Sequence, residues 1–144
     1  MKDTPGLILA TEDEESDRLI MELVYERTGL PNRLVILSDG QEAVNYLQGN
    51  GIYHDRTLHP LPALLLLDLK MPRMNGFDVL AWLATQPQFK DLPTVMFSAS
   101  AYDQDIRKAR ELGARDYFVK PLEIQQFVQI LCDLHARWLA GGAA

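Results

Sequence analysis

The chain has 144 residues, 47% of them apolar and 24% charged. That balance suggests one globular domain, able to bury a substantial core without disulfides or a structural metal. A net charge of −6, from 20 acidic against 14 basic residues, argues against a general nucleic-acid binder, which needs a basic face.

The single cysteine, Cys132, excludes an internal disulfide and points to a reducing compartment. No apolar stretch looks long enough to span a membrane, and the opening MKDTPG lacks a signal-peptide core. The expected location is cytoplasmic.

The elements alternate along the chain. LILA (7–10) is too short for a helix and reads as a buried strand. Leu19, Ile20, Leu23 and Val24 then recur at helical spacing, until Gly29 and Pro31 stop the helix. RLVILS (33–38) is a second strand, Asp39-Gly40 a turn, and QEAVNYLQ a helix with Ala43, Val44 and Leu47 on one side and Gly49 as its C-cap. Residues 49–62 show no periodicity and read as a long loop in which His54 and His59 are solvated.

ALLLL (63–67), the most apolar run, ends on Asp68. LKMPRMNG is a loop and FDVLAWLAT a short helix stopped by Pro87. PTVMF (93–97) is a strand ending on Ser98, DQDIRKAREL a helix closed by Gly113, and RDYFV (115–119) a strand ending on Lys120-Pro121. The last helix starts near Leu122 and carries Ile124, Phe127, Val128, Leu131, Leu134 and Trp138 on one stripe, with Cys132 beside it as an apolar filler. GGAA reads as a frayed tail.

Five strands alternating with five helices imply an α/β fold: a parallel sheet covered on both faces. Right-handed crossovers and one switch in winding direction give the flavodoxin-like, doubly wound (β/α)5 arrangement, strand order 2-1-3-4-5. A single domain is expected over 1–144, its core at about 6–138, with no output domain.

Ligands of open parallel sheets bind beyond the carboxyl ends of the strands. There the sequence places Glu12 and Asp13, then Asp68 with Lys70 two residues on, then Ser98, then Lys120. Three nearby carboxylates stay ionised together only if a cation joins them. Oxygen ligands suit Mg²⁺, with Mn²⁺ an acceptable substitute. A carboxylate such as Asp68 can act as a nucleophile and form an aspartyl phosphate. Ser98 and Lys120 could each hold a phosphoryl oxygen.

These fragments together resemble the response-regulator receiver domain of two-component signalling. The matching residues are Glu12-Asp13, LLLLDLKMPRMNG around Asp68, VMFSAS around Ser98 and YFVKP ending at Lys120-Pro121, at spacings that also match. The loop YLQGNGIYHDRTLHPLPALLLLD is similar to a stand-alone subgroup that includes phytochrome-associated response regulators.

The resemblance implies roles residue by residue. Asp68 is the phosphoacceptor. Asp13, Asp68 and the Lys70 carbonyl bind Mg²⁺, with Glu12 helping through water. Ser98 and Lys120 contact the phosphoryl group, Ser98 shifts on phosphorylation, and Tyr117 is the switch aromatic. Lys120-Pro121 is cis, and Lys70 and Ser100 occupy positions that tune phosphoryl lifetime.

It further implies a sensor histidine kinase, of phytochrome type by the loop, or a phosphotransfer protein as donor. Such a protein is a signalling phosphoacceptor that catalyses its own phosphoryl transfer and dephosphorylation. Its output would pass through the face of the fourth helix, fifth strand and fifth helix to a partner or a second copy. Trp138 would serve that homodimer or merely cap the core.

Two further expectations concern TEDEESD (11–17). Thr11 and Glu14 could form a capping box, and Glu14, Glu15 and Asp17 complement the helix dipole on a solvated face. A phosphatase of the haloacid-dehalogenase type also uses a nucleophilic aspartate, but needs a second acid where Lys70 stands. A flavin phosphate would be repelled by TEDEESD. A receiver-like module that is never phosphorylated is disfavoured by the intact Asp13, Asp68, Ser98 and Lys120.

Overall fold

The structure, a computed structural model, describes residues 5–140. The GGAA tail therefore lies outside the described residues. In chain order the elements are β1 (Leu7–Thr11), α1 (Glu15–Thr28), β2 (Leu34–Leu37), α2 (Gly40–Gln48), β3 (Pro62–Leu67), α3 (Gly76–Ala84), β4 (Thr94–Ser98), α4 (Asp103–Glu111), β5 (Asp116–Val119) and α5 (Ile124–His135). Short 3₁₀ turns at Gly51–Tyr53 and Pro87–Phe89 precede β3 and β4, and a wider π turn, Ala136–Ala140, extends α5.

The five strands form one sheet in the order β2-β1-β3-β4-β5, every pair parallel. Successive strand side chains point to opposite faces, and the apolar runs divide accordingly. Leu7, Leu9, Leu65, Leu67, Met96 and Tyr117 pack with Val44, Tyr46, Leu47, Val79, Leu80 and Ala109 of α2, α3 and α4. Ile8, Ala10, Leu64, Leu66, Val95 and Phe97 pack with Met21 and Val24 of α1 and Phe127, Leu131 and Leu134 of α5. The central strands are apolar on both faces because both faces are covered.

Local chemistry sets the helix ends. Asp39-Gly40 is not a free turn: Asp39 is the N-cap of α2, its side chain accepting the Glu42 N–H, and Gly40 is the first helical residue. Gly29 and Gly49 close α1 and α2 in left-handed conformation. Asn75 and Asp78 form a reciprocal capping box that starts α3. The box expected at Thr11 and Glu14 does not form. Thr11 ends β1, and Glu14, the N-cap of α1, makes no side-chain cap bond.

The buried face of α1 differs from the sequence reading. Met21 and Val24 are buried, whereas Leu19, Ile20 and Leu23 are 60%, 45% and 47% exposed. Ile124, expected on the stripe of α5, is also exposed.

The 49–62 segment is more ordered than its lack of periodicity suggests. Tyr53 is buried, with its ring 5.0 Å from Tyr46 and 5.2 Å from His59. Arg56 donates to the carbonyls of Leu47 (2.8 Å) and His59 (3.0 Å), which ties the loop to the end of α2. His59 is thus a half-buried packing residue, while His54 is exposed as expected.

Candidate functional site

The carboxyl ends of β1, β3, β4 and β5 meet at one edge of the sheet. The Asp68 N–H donates to Thr11 Oγ1 at 3.0 Å, so the last residue of β1 fixes the chain where β3 ends. Lys120, just beyond β5, reaches back over this edge. Its Nζ donates to Glu12 Oε2 at 2.7 Å, Asp68 Oδ2 at 3.3 Å and Asp17 Oδ2 at 3.5 Å. The Lys70 N–H points to Asp68 Oδ1 at 3.4 Å. Both carboxylate oxygens of Asp68 therefore face donors.

Burial governs the protonation of this cluster. Glu12 is almost wholly buried, and desolvation raises its pKa from the ordinary 4.5 to about 7 against the opposing pull of Lys120. Burial also disfavours the Lys120 ammonium, but Glu12, Asp68 and Asp17 outweigh it and hold its pKa above the usual lysine value.

A divalent cation fits here on two independent grounds. Ligand oxygens of Glu12, Asp13 and Asp68 lie within 4.8 Å of one another. Glu12 Oε1 is buried with no hydrogen-bond partner, and a buried acceptor left unpaired is costly. Glu12, Asp13, Asp68, Lys70 and Lys120 line a cavity of about 500 Å³, whose other wall is apolar, formed by Ile20, Met21, Phe97, Leu122 and Phe127.

Ser98 does not line that cavity; its neighbour Ala99 does. Ser98 is fully buried, and its Oγ accepts the Ser100 N–H at 3.1 Å. The Ser100 hydroxyl turns toward α4 and donates to Asp105 Oδ2 at 2.6 Å. Tyr117 is buried with its hydroxyl donating to the Ser100 carbonyl at 2.8 Å. Ser98, Ser100 and Tyr117 thus form one hydrogen-bonded unit between β4, β5 and α4. The Lys120-Pro121 peptide bond is cis.

Two site residues escaped the sequence reading. Asp17, in the first turn of α1 where it complements the helix dipole, also reaches Lys120 with its side chain; no local pattern in the sequence marks that contact. Thr11 read as a cap, yet its hydroxyl holds the Asp68 backbone. Trp138 packs partly buried against the core side shared by α1 and α5, with Arg115 and Arg137 over its ring at 5.1 and 6.0 Å, as the core-capping reading expects. Cys132 is only partly buried.

A flavodoxin-like sheet with an acidic, cation-sized site at its carboxyl edge and a lysine across it defines a receiver-type phosphoacceptor domain. The family profile for the response regulator receiver domain matches residues 8–132, so the chain belongs to that family. The response regulator Rcp1 of Synechocystis sp. is 30% identical over 135 residues, covering 94% of this chain and 90% of Rcp1. The Mn²⁺-bound structure of Rcp1 superposes with a TM-score of 0.81 over 94% of this chain and 96% of that one.

The response regulator RPA3017 in red light signalling of R. palustris is 32% identical with a TM-score of 0.85, covering 92% and 93% of the two chains. The phosphorylated cyanobacterial phytochrome response regulator RcpA is 29% identical with a TM-score of 0.82, covering 94% and 99%. The family takes Mg²⁺ or Mn²⁺ at its acidic pocket, and the Glu12, Asp13 and Asp68 grouping supplies that pocket here. Among the described residues no helix is long and apolar enough to cross a membrane.

Proposed function

We propose that Asp68 accepts a phosphoryl group from a phosphohistidine, carried by a sensor histidine kinase of phytochrome type or by a phosphotransfer protein. The observation that carries this reading is Lys120 Nζ, shared between Asp68 and Glu12 beside the three-carboxylate grouping. An Asp68 oxygen forms a bond to phosphorus as the donor's P–N bond breaks, and the donor imidazole keeps the electron pair. Asp13, Asp68 and the Lys70 carbonyl would hold the cation, with Glu12 helping through water, and the cation would neutralise charge on the incoming phosphoryl oxygens. Lys120 pairs with one of those oxygens and Ser98 with another.

In the same reading the domain also catalyses its own dephosphorylation. Water attacks phosphorus, inorganic phosphate leaves and the Asp68 carboxylate is restored. The hydroxyl of Ser98 exchanges the Ser100 N–H for the phosphoryl group, and Tyr117 repacks with it. That moves the α4-β5-α5 face, which passes the state to a cytoplasmic partner or a second copy of the chain, without nucleic-acid binding.

The test is intact mass after incubation with acetyl phosphate and Mg²⁺. One phosphoryl group should add, and neither the Asp68→Asn variant nor a metal-free sample should gain it. No adduct after rapid quenching, together with no beryllofluoride binding, would make the carboxylate cluster structural.

A further inference from the structure

The segment that follows Asp68 is held in an uncommon backbone shape. Arg73 has φ 65, and it is the one non-glycine residue with positive φ among the described residues. The Met74 N–H donates to the Pro72 carbonyl at 2.7 Å, closing a three-residue turn around Arg73. A side-chain-bearing residue adopts such a turn only where its surroundings over-determine it.

The over-determining contact is a two-pronged pair. Arg73 Nε donates to Asp39 Oδ2 at 3.0 Å, and a terminal guanidinium nitrogen donates to Asp39 Oδ1 at 3.1 Å. That nitrogen also lies 3.6 Å from Glu42 Oε2. Asp39 is fixed in turn. It is buried and caps α2 through the Glu42 N–H at 2.9 Å. Glu42 is gripped from the far side by the Tyr53 hydroxyl at 2.7 Å. Gly40 allows the Met74 carbonyl to come so close that a β-carbon there would collide with it. An exposed ion pair contributes little to stability, but a fork on a buried, immobile carboxylate fixes geometry.

We propose that Arg73 is a positioning residue: clamped by Asp39, it locks the 69–75 segment and so fixes the Lys70 backbone against Asp68. The proposal rests on the phosphoacceptor reading above. The segment is anchored at its far end by the Gly76 N–H on the Leu69 carbonyl at 2.8 Å. Between those anchors lies Lys70, whose N–H faces Asp68 Oδ1 and whose carbonyl is the cation ligand in that reading. Without the clamp, the turn at Arg73 relaxes and Lys70 loses its fixed place.

Three variants separate positioning from stability. Arg73→Gly tolerates the positive φ but lacks the fork; Arg73→Lys keeps charge without the fork; Asp39→Asn keeps the cap oxygen. In metal-free protein, Arg73→Gly and Asp39→Asn should speed amide exchange at Met74 and Gly76 while leaving β1 and β3 amides at parental rates. Mn²⁺ affinity, measured with the metal alone, should fall about tenfold in each, as loss of a ligand-orienting partner generally does. The double variant should lose no more than either single one. Arg73→Lys should fall between parent and Arg73→Gly.

Parental exchange at Gly76 and parental Mn²⁺ affinity in Arg73→Gly would overturn the proposal. If the parent takes neither Mn²⁺ nor a phosphoryl group, the functional reading fails, and the positioning role for Arg73 falls with it. A parent that takes both, with an unchanged Arg73→Gly variant, sinks the clamp alone.

Discussion

Two buried carboxyl groups give this protein opposite responses to pH. Glu12 has its pKa raised by burial to about 7 from 4.5. It holds its proton more firmly folded than unfolded. Its contribution to stability is fully present below 4.5 and is lost as pH rises through about 7. Asp39 is the reverse. Burial opposes its ionisation, but the Arg73 hydrogen bond and the amides of Glu42 and Gln41 outweigh it and lower its pKa below 3.8. Its contribution is present above 3.8 and is lost as pH falls through the depressed folded value. In EDTA, with urea midpoints followed from pH 3 to 8, Glu12→Gln should gain on the parent between pH 4.5 and 7. Asp39→Asn should lose to the parent above pH 3.8, the gap closing in acid. The same sign for both variants would contradict this assignment. Lys70 adds a prediction of a different kind. It lines the cavity two residues from Asp68; if its ammonium takes the place of a water-orienting amide, Lys70→Asn should lose phosphate several-fold faster, an effect on the order of 1 kcal/mol in the barrier. Decay at the parental rate, read by mass after removing acetyl phosphate, would leave Lys70 without a role in lifetime.

At the scale of elements, the approach of α3 to the end of β3 constrains the chain that bears Asp68 directly. A β-carbon on Gly76 would lie 2.6 Å from the Asp68 carbonyl oxygen, 2.9 Å from Met96 Cε and 3.0 Å from Leu69 Cα. Two of those atoms are backbone and cannot swing aside. Gly76→Ala should therefore cost about 1–3 kcal/mol of stability by overpacking, measured by urea unfolding. It should also slow acetyl phosphate labelling, because the chain displaced is the one bearing Asp68. Stability loss with parental labelling would mean that α3 moves and the site does not. These elements differ in how far they could be read from the chain. The strands and their polar ends were legible because a buried parallel strand is a short apolar run with a sharp chemical boundary, as in ALLLLD. The face of α1 was not. Leu19, Ile20 and Leu23 have helical spacing, but Met21 and Val24 meet the sheet and α5, and periodicity marks an apolar stripe without saying what it meets. The Arg73–Asp39 fork was equally hidden: Arg73 stands in the stretch after Asp68 and Asp39 in a turn, but the partners lie 34 residues apart and nothing local pairs them. His59 escaped for the same reason. It is packed by Tyr46 and Tyr53, and a loop's tertiary contacts leave no local pattern.

At the scale of the whole molecule, that misread stripe becomes informative. Ile20 lines the cavity, Leu19 and Leu23 are exposed beside it on the same helix, and Ile124 is 42% exposed two residues beyond the lining residue Leu122. Exposed apolar side chains on a helix that also lines a pocket are where a protein donor is expected to dock. The occupant follows from the geometry of transfer. In the proposed function a protein donor brings its phosphohistidine to this mouth, and its surface is expected to lie across α1 and the start of α5. Acetyl phosphate is too small to touch that surface while it reacts. The double variant Leu19→Asp, Leu23→Asp should therefore take phosphate from acetyl phosphate at the parental rate, since neither residue lines the cavity. Transfer from a phosphorylated histidine kinase or phosphotransfer protein that labels the parent should fall at least tenfold, a loss of about 1.4 kcal/mol in transition-state binding. Equal loss with both donors would place the defect in the fold or in Asp68 rather than in docking. Undiminished transfer from the protein donor would mean that it approaches over another part of the rim, and the exposed leucines of α1 would need a different partner.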